Sequence, residues 1–426
     1  MTKARRSLLL SALPLLTAAA ACGNSSPSGP TPTELKSDKV RVTAPAVSAD
    51  DAATLATDNL AFAVDMHLAL RGSESGNFVF SQTSMSTALA MLYAGAATST
   101  AAEMAATLHF SLPVDRLHPA FNALDLGLTT PPPGTSGAAF RLEVANALFL
   151  QDGFAVLPAY LDTLAENYGT GMFVEDFMAD PESARLAING WVSDRTERQI
   201  PELFPKSSID TATVLVLANA VFFHGDWKTP FGKDRTTNAT FHAPTGDVSV
   251  PTMFGEHDAG LWTGAGWSAA ELDYVGDTTS MIVVVPDAGT FDAFEAGLTA
   301  GGLGAILAGA PASAGGGDLV LPKFKFNTDV GLNDTLSALG MPEAFSQAAD
   351  FSGIDGARDL AVQSVIHKAI IAVDEKGTTA AAATGISVGT TSLPPTLVVD
   401  RPFLFFIRHN PTGAILFQGR VVDPSK

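Results

Sequence analysis

The chain has 426 residues, 46% of them hydrophobic, with 44 acidic and 25 basic side chains and a formal net charge of −19. This length and apolar content allow a large buried core, and the negative charge argues against nucleic acid or an anionic membrane surface as the main partner. The single cysteine, Cys22, excludes an intrachain disulfide and a cysteine-based metal cluster, so the fold must be stabilised by packing.

The first 22 residues have the pattern of a secretory signal peptide. A basic start precedes a short apolar run from Leu8 to Leu16, which is too short for a stable membrane span. The ending AAAAC resembles a bacterial lipobox with Cys22 as the lipidated first residue, and cleavage at an ordinary A-x-A site is the alternative. The polar, Pro/Ser-rich residues 23–50 then predict a tether, with the domain beginning at residue 51.

The lipid predicts where the protein resides. Gly23 and Asn24 lack the aspartate that would favour retention in the inner membrane. We therefore expect an outer-membrane lipoprotein on the periplasmic or the cell-surface side, with secretion as the alternative. Contact with a membrane is expected only through this lipid.

Helical periodicity begins directly after the tether. Leu55, Phe62, Met66 and Leu70 share one face of a first helix, which is expected to close at Gly72. A second helix is apolar nearly all round and must therefore be buried. Its core positions are Met85, Ala88, Leu89, Leu92 and Tyr93.

Two further helices are predicted from their ends. Thr100 and Glu103 have the spacing of a capping box, which would open a third helix. Pro158 in the first turn and Gly169 just past the end bracket a fourth, from Ala159 to Tyr168.

Strand patterns dominate the rest of the chain. Helices cluster early and strands late, which indicates an α+β fold rather than a regular βαβ alternation. Residues 131–138 and 309–318 are expected to be surface loops. The predicted strands are 141–150, 213–223, 280–286, 365–373, 401–408 and 414–422.

Signatures of common enzyme chemistry are absent from the sequence. There is no G-x-S-x-G elbow, H-E-x-x-H, P-loop or dinucleotide fingerprint, and the eight histidines are scattered. No metal site and no cofactor are predicted. A nonlocal Ser/His/Asp site stays open from sequence alone, so a lipid-anchored hydrolase or a solute binder remains an alternative.

Six segments in series resemble the serpin family, from about Asp51 to the C-terminus. They are FVFSQTSMSTALAMLYAGAATSTAAEM, VANALFL, INGWVSDRT, LANAVFFHGDW, HKAIIAVDEKGTTAAAA and RPFLFFIR. The resemblance implies an α+β fold of three β-sheets with about nine helices and an exposed reactive-centre loop. It also implies a non-enzymatic, monomeric suicide inhibitor that serine endopeptidases attack to form a covalent acyl complex.

The reactive-centre loop is assigned by this resemblance to residues of about 375–395. Its hinge comprises Glu375, Gly377, Thr378 and the small residues Ala380, Ala381, Ala382 and Ala383. Small side chains suit a strand that must enter between two others, whereas noninhibitory members commonly carry bulky, charged or proline residues there. An inhibitor is therefore favoured over a noninhibitory serpin that serves as a binding module.

The segment SLPP resembles the residues that follow the scissile bond, which assigns the cut to the bond between Thr391 and Ser392, with Thr390 as second choice. Threonine is small and uncharged, so it neither pairs with the aspartate of a trypsin-like pocket nor fills a chymotrypsin-like slot. An elastase-like or subtilisin-like target is expected.

Five other residues carry over from the family. Ser84, Asn219 and His367 match positions that hydrogen-bond where the central sheet opens, and Ser81 matches a neighbouring small position. Trp227 matches the aromatic residue that covers the point where insertion begins.

Overall fold

A computed structural model describes residues 31–130, 139–309, 316–378 and 394–426. The predicted lipidation site Cys22, the alanines Ala380 to Ala383 and the predicted reactive bond between Thr391 and Ser392 lie outside the described residues.

Ten α-helices and two short 3₁₀ helices occur in the described ranges. None of these helices has the length and apolar character required to cross a bilayer. The α-helices are α1 Ala49–Ser73, α2 Gln82–Tyr93, α3 Thr98–Thr107, α4 Val114–Thr129, α5 Pro158–Tyr168, α6 Pro181–Arg195, α7 Phe291–Ala296, α8 Ala300–Leu307, α9 Asn333–Leu339 and α10 Ser352–Asp355, and the 3₁₀ helices are Lys233–Arg235 and Glu343–Phe345.

Three of the four predicted helices form as expected. The apolar face predicted for α1 is buried, and the helix starts where the Ser48 side chain accepts a hydrogen bond from the Asp51 amide at 3.0 Å. Helix α2 is buried except at Thr87 and Tyr93, which are half-buried, and Tyr93 packs against the core at its edge. Helix α5 begins at Pro158 and ends before Gly169, whose φ of +66° needs the conformational freedom of glycine.

The predicted capping box of α3 is wrong. The helix begins at Thr98, two residues before Thr100, and its N-cap Ala97 makes no side-chain capping bond. Both side chains of the proposed box bind another part of the chain instead. The Thr100 hydroxyl donates to Glu343 Oε1 at 2.8 Å, and a Glu103 carboxylate oxygen accepts from the Glu343 amide at 2.9 Å.

Sixteen strands occur in the described ranges. They include all six predicted strand segments. The strands are β1 Thr33–Leu35, β2 Phe78–Phe80, β3 Phe140–Gln151, β4 Met172–Glu175, β5 Leu215–Asp226, β6 Thr237–Ala243, β7 Gly246–Gly264, β8 Trp267–Asp273, β9 Thr279–Pro286, β10 Gly316–Pro322, β11 Phe324–Gly331, β12 Val362–Val373, β13 Gly377–Thr378, β14 Thr396–Val398, β15 Phe403–His409 and β16 Ile415–Val421. Because β10 starts at Gly316, the loop predicted over 309–318 is wrong for its last three residues.

Seven of these strands form one sheet, called sheet A, in the order β1-β4-β3-β5-β13-β12-β11. Strands β5 and β12 are parallel and pair directly from Leu215 with Val362 to Val221 with Ala369. Beyond that stretch the short strand β13 lies between them, antiparallel to both. At this end of sheet A, β5 and β12 are therefore already separated by Gly377 and Thr378.

The remaining strands form a second sheet, called sheet B, in the order β14-β10-β7-β8-β9-β15-β16-β2, with β6 paired to β7. The expected second and third sheets are thus continuous. The reason is the length of β7, whose first part pairs with β6 and β10 and whose last part pairs with β8.

The hydrophobic core lies on both faces of sheet A. One cluster fills the space between sheets A and B and includes Phe223, Tyr274, Phe324 and Phe405. A second joins helix α6 to the opposite face of sheet A. Helices α1, α2, α4 and α5 supply much of a third. Sheet A is therefore a buried layer, and an additional strand in it must match side chains on both faces.

Part of the predicted tether, residues 23–50, belongs to the folded domain. Strand β1 pairs with β4 at the outer edge of sheet A, so the folded domain includes residues from Thr33 onward and not from 51. Arg41 donates to Asn122 Oδ1 at 2.9 Å and pairs with Asp125 at 2.6 Å on α4. These polar groups have specific partners, which composition alone did not reveal.

Candidate functional site

The hinge forms a tight turn that folds the chain back into sheet A after β12. The Asp374 amide donates to the Gly377 carbonyl at 3.0 Å, and the Lys376 amide donates to the Asp374 carboxylate at 2.9 Å. Thr378 then pairs with Val373 of β12 and with Gly225 of β5. The turn and the start of an additional strand are thus built by local hydrogen bonds.

The expectation of an exposed loop from about residue 375 is therefore wrong for its first four residues. Thr378 is 1% exposed and Glu375 is 7% exposed. Two glycines make this burial sterically feasible. A Cβ on Gly377 would lie 2.0 Å from the Gly225 carbonyl oxygen, and a Cβ on Gly225 would lie 2.7 Å from the rings of Phe223 and Tyr274.

Glu375 is fixed by two neighbours. Its carboxylate accepts from the Lys323 ammonium at 2.8 Å and from the Thr236 hydroxyl at 2.8 Å. Burial alone would raise the pKa of this carboxyl, but the hydrogen bonds from Lys323, the backbone and Thr236, with the lysine charge, lower it below its ordinary value. The glutamate is held in its ionised form and anchors the turn.

Trp227 and Tyr274 contact the turn from beneath. Their rings stack with centroids 4.5 Å apart and planes at 16°. The indole Nε1 donates to the Asp374 carbonyl at 3.0 Å, and the Trp227 amide donates to the Lys376 carbonyl at 2.7 Å. The Tyr274 hydroxyl lies 2.7 Å from Thr378 Oγ1. The tryptophan thus contacts the chain before the glycine, and the tyrosine contacts it after.

A polar cluster occupies the middle of sheet A, where β5 and β12 are still paired. The Asn219 amide donates to Ser84 Oγ at 2.7 Å and to Asn146, and Ser84 Oγ donates to Asn146 Oδ1 at 3.1 Å. His367 Nδ1 is hydrogen-bonded to Asn219 Oδ1, and the Ser81 amide donates to His367 Nε2 at 3.2 Å. The four residues predicted to cluster here are all brought together.

These contacts define the protonation state of His367. Nε2 accepts a hydrogen bond from an amide, so the ring proton is on Nδ1 and is donated to Asn219. Complete burial lowers the pKa of His367 to about 3. The neutral ring is a direct bridge between β12 and β5, and separation of the strands requires that this bridge be broken.

Acid is expected to destabilise the protein through His367. Its folded-state pKa is below its ordinary value, so the unfolded chain binds more protons between about pH 3 and 6.5. The contribution of His367 to the free energy of unfolding is complete above pH 6.5. Below that pH it falls by about 1.4 kcal/mol for each pH unit. Urea unfolding of the parent and of His367→Gln at pH 7, 6 and 5 checks this. Their difference in unfolding free energy should shrink with acid, and parallel profiles would contradict it.

The residues of the site that were not predicted from sequence include Asn146, Lys323 and Tyr274. Asn146 lies within the segment VANALFL, which contributed to the family resemblance, so its position in the polar cluster had a signal. Lys323 follows a buried strand, and its pairing with Glu375 is nonlocal. Tyr274 had no sequence signal at all, because its role depends on Thr378, which is about a hundred residues away. Among the described residues no group of three acidic, histidine or cysteine side chains is arranged to hold a metal ion.

Comparison with known proteins identifies the family. A profile described as "Serpin (serine protease inhibitor)" matches residues 57–424. Human leukocyte elastase inhibitor is 36% identical over 382 residues, which cover 87% of this chain and 99% of that protein. An uncharacterised serpin-like protein of Thermococcus kodakarensis is 36% identical over 368 residues, covering 85% and 84% of the two chains.

The fold agrees with this assignment. The crystal structure of human thyroxine-binding globulin superposes with a TM-score of 0.79 at 29% identity, covering 88% of this chain and 100% of that one. The chain therefore belongs to the serpin family of serine protease inhibitors and is not an enzyme.

Proposed function

We propose that the protein is an irreversible suicide-type inhibitor of serine endopeptidases, which acts by cleavage of its reactive-centre loop and insertion of the cut loop into sheet A. One observation carries this proposal. Gly377 and Thr378 already form the first two residues of an extra strand between β5 and β12. Since β5 and β12 are already separated at this end, the additional strand can be extended from Thr378 by further separation of the same two strands.

The register of this start supports insertion along the full sheet. Thr378 faces Val373 and Gly225, so each later loop residue would face one residue earlier on both strands. Residue 382 would reach Val221 and Ala369, the first pair that is still closed. Residues 388 and 389 would reach Leu215 and Val362, the far ends of β5 and β12. The predicted loop is long enough to fill the whole gap.

The composition of the loop supports the same register. Successive strand residues point to opposite faces, so the face of Thr378, towards sheet B, would receive Ala380, Ala382, Thr384, Ile386 and Val388. The opposite face would receive Thr379, Ala381, Ala383, Gly385 and Ser387. The larger apolar side chains thus all fall on the side of the core between the sheets.

The chemical step is an acyl transfer, after which loop insertion competes with hydrolysis of the acyl-enzyme. The serine hydroxyl of the protease attacks the carbonyl carbon of Thr391, the bond to Ser392 breaks, and Ser392 leaves with a new amino group. The ester between protease and Thr391 survives only if insertion carries it away before water hydrolyses it. In the proposed register Thr391 passes the far ends of β5 and β12, so the protease would be carried across sheet A.

The target class follows from the residue before the cut. Thr391 suits a shallow or tolerant primary pocket, which favours an elastase-like or subtilisin-like protease. The relative named leukocyte elastase inhibitor is consistent with this class. We propose that the inhibitor acts as a monomer, because one chain contains both the reactive-centre loop and the sheet into which the cut loop would insert.

Gel electrophoresis with a specificity variant tests this function. We expect the parent to form an SDS-resistant complex with elastase or subtilisin, and Thr391→Arg to redirect complex formation to trypsin, because arginine supplies the positive charge that a trypsin-like pocket binds. The partner preference should change by more than about a hundredfold, since a buried charge pair is gained. Cleavage without any stable complex would instead support the noninhibitory alternative.

We further propose that Cys22 carries a lipid that attaches the inhibitor to the outer membrane. The AAAAC ending and the absence of aspartate after Cys22 support this proposal. Cys22→Ser should move the protein from the membrane fraction to the soluble fraction. Mass spectrometry of the mature N-terminus checks the modification, and an unmodified thiol there would disprove it.

A further inference from the structure

We propose that the Tyr274 hydroxyl is a positioning group that holds the hinge seated in sheet A, so that insertion starts from a preformed strand. The inference rests on the proposed inhibitory function and adds a residue to it. Its effect is exerted through Thr378, which precedes the proposed reactive bond by 13 residues (391 − 378).

Tyr274 is itself rigidly held. It is 0% exposed and lies between two aromatic rings, with Trp227 stacked on it and the Phe223 centroid 5.1 Å away at an interplanar angle of 78°. The Val275 amide, next in the chain, donates to the Asp226 carbonyl at 2.9 Å on β5. Burial raises the pKa of Tyr274, so the phenol keeps its proton for hydrogen bonding. The hydroxyl is thus a fixed point beneath the hinge.

The hydroxyl pair distinguishes a seated hinge from an expelled one. When Thr378 is seated, its Oγ1 and the Tyr274 hydroxyl satisfy each other at 2.7 Å inside the core. When the turn opens and Thr378 moves to solvent, the tyrosine hydroxyl is left in a buried aromatic environment, which is unfavourable for a polar group. The pair therefore biases the hinge towards the seated state.

This bias affects inhibition because the acyl-enzyme has two fates. Loop insertion traps the protease, whereas hydrolysis releases it and leaves a cleaved inhibitor. A seated hinge has already formed its turn and two strand residues, which are the costly first steps of strand formation. An expelled hinge must form them during the short life of the acyl-enzyme. A lower seated population therefore sends more molecules through hydrolysis, and more inhibitor is consumed per protease molecule inactivated.

Three substitutions isolate the hydroxyl pair. Tyr274→Phe and Thr378→Val each remove one hydroxyl with little change in shape, and Thr378→Ser retains the hydroxyl. Tyr160→Phe is the matched control, because Tyr160 is another buried tyrosine whose hydroxyl donates to the Met91 carbonyl at 3.0 Å, among the helices and away from the hinge.

The first readout is the stoichiometry of inhibition, the number of inhibitor molecules consumed per elastase molecule inactivated. We expect Tyr274→Phe and Thr378→Val each to raise it by about twofold or more, with no further increase in the double variant, because both remove the same interaction. Thr378→Ser, which keeps the hydroxyl, should lie closer to the parent than Thr378→Val, and Tyr160→Phe should keep the parent value. An unchanged value for Tyr274→Phe, or an equal rise for Tyr160→Phe, would refute the positioning role.

The second readout does not require inhibition. Hydrogen–deuterium exchange of a peptide covering residues 374–378 should be about fivefold faster in Tyr274→Phe than in the parent, and unchanged in Tyr160→Phe. Equal exchange in all three proteins would overturn the proposal even where complexes form. Faster exchange in Tyr274→Phe together with a parent that forms no complex would instead refute the inhibitory function and leave the seated hinge intact.

Discussion

Thr378→Arg is expected to convert the protein from an inhibitor into a substrate. Thr378 is 1% exposed, is enclosed by β5 and β12, and lies against Tyr274. A guanidinium at this position would have to enter the core between the sheets, which is strongly unfavourable for a charged group. The hinge should stay outside sheet A, and the stoichiometry of inhibition should rise by more than about tenfold.

The measurement is titration of elastase or subtilisin with each variant, combined with a denaturing gel. Loop cleavage should proceed at the parent rate, because the predicted reactive bond at Thr391 lies far along the loop from the substitution. Thr378→Ser is the control, since it is small and keeps the hydroxyl. An arginine variant that forms as much SDS-resistant complex as the parent would rule out insertion at this site.

Cleavage of the reactive-centre loop is expected to stabilise the protein strongly. Within the described part of the chain, Gly377 and Thr378 belong to the additional strand, and the cut loop would extend it with backbone hydrogen bonds to both neighbours. If each new bond contributes about 1 kcal/mol, the melting temperature should rise by roughly 10 °C or more. Calorimetry before and after limited proteolysis measures the shift.

Thr378→Arg supplies the control for this experiment too. Its loop should be cut equally well, but the cut chain should gain no thermal stability, because the strand has no entry point. Equal stabilisation of both cut proteins would mean that the gain arises from some process other than insertion beside β5 and β12.

Periodicity predicted the regular elements well and predicted their polar ends less well. The apolar stripes of α1 and α2 and the apolar runs of β5, β12 and β15 are local patterns, and packing preserves them. Thr100 and Glu103 also matched a local pattern, yet both are used in bonds to Glu343. A short polar motif has many competing partners in a folded chain, whereas a long apolar face has few.

The functional site also has parts that were predicted from sequence and parts that were not. The predicted positions Ser84, Asn219 and His367 came from the family resemblance, and the structure gives the contacts that join them. The burial of Thr378 was not foreseen, because small residues after a glycine look equally suited to an exposed loop. It depends on Gly377, whose missing Cβ lets its backbone lie against the Gly225 carbonyl oxygen, a contact that exists only once the strands are side by side.

If Cys22 carries the proposed lipid, the pairing of β1 with β4 limits how far the domain can move from the membrane. Since the domain begins at Thr33, only residues 23–32 remain to join it to a lipid on Cys22. About ten residues span at most ~36 Å even when fully extended. An inhibitor anchored in this way would be confined to a thin layer above the lipid surface. Its effective concentration there would favour capture of proteases that approach the membrane over those that remain in bulk solution.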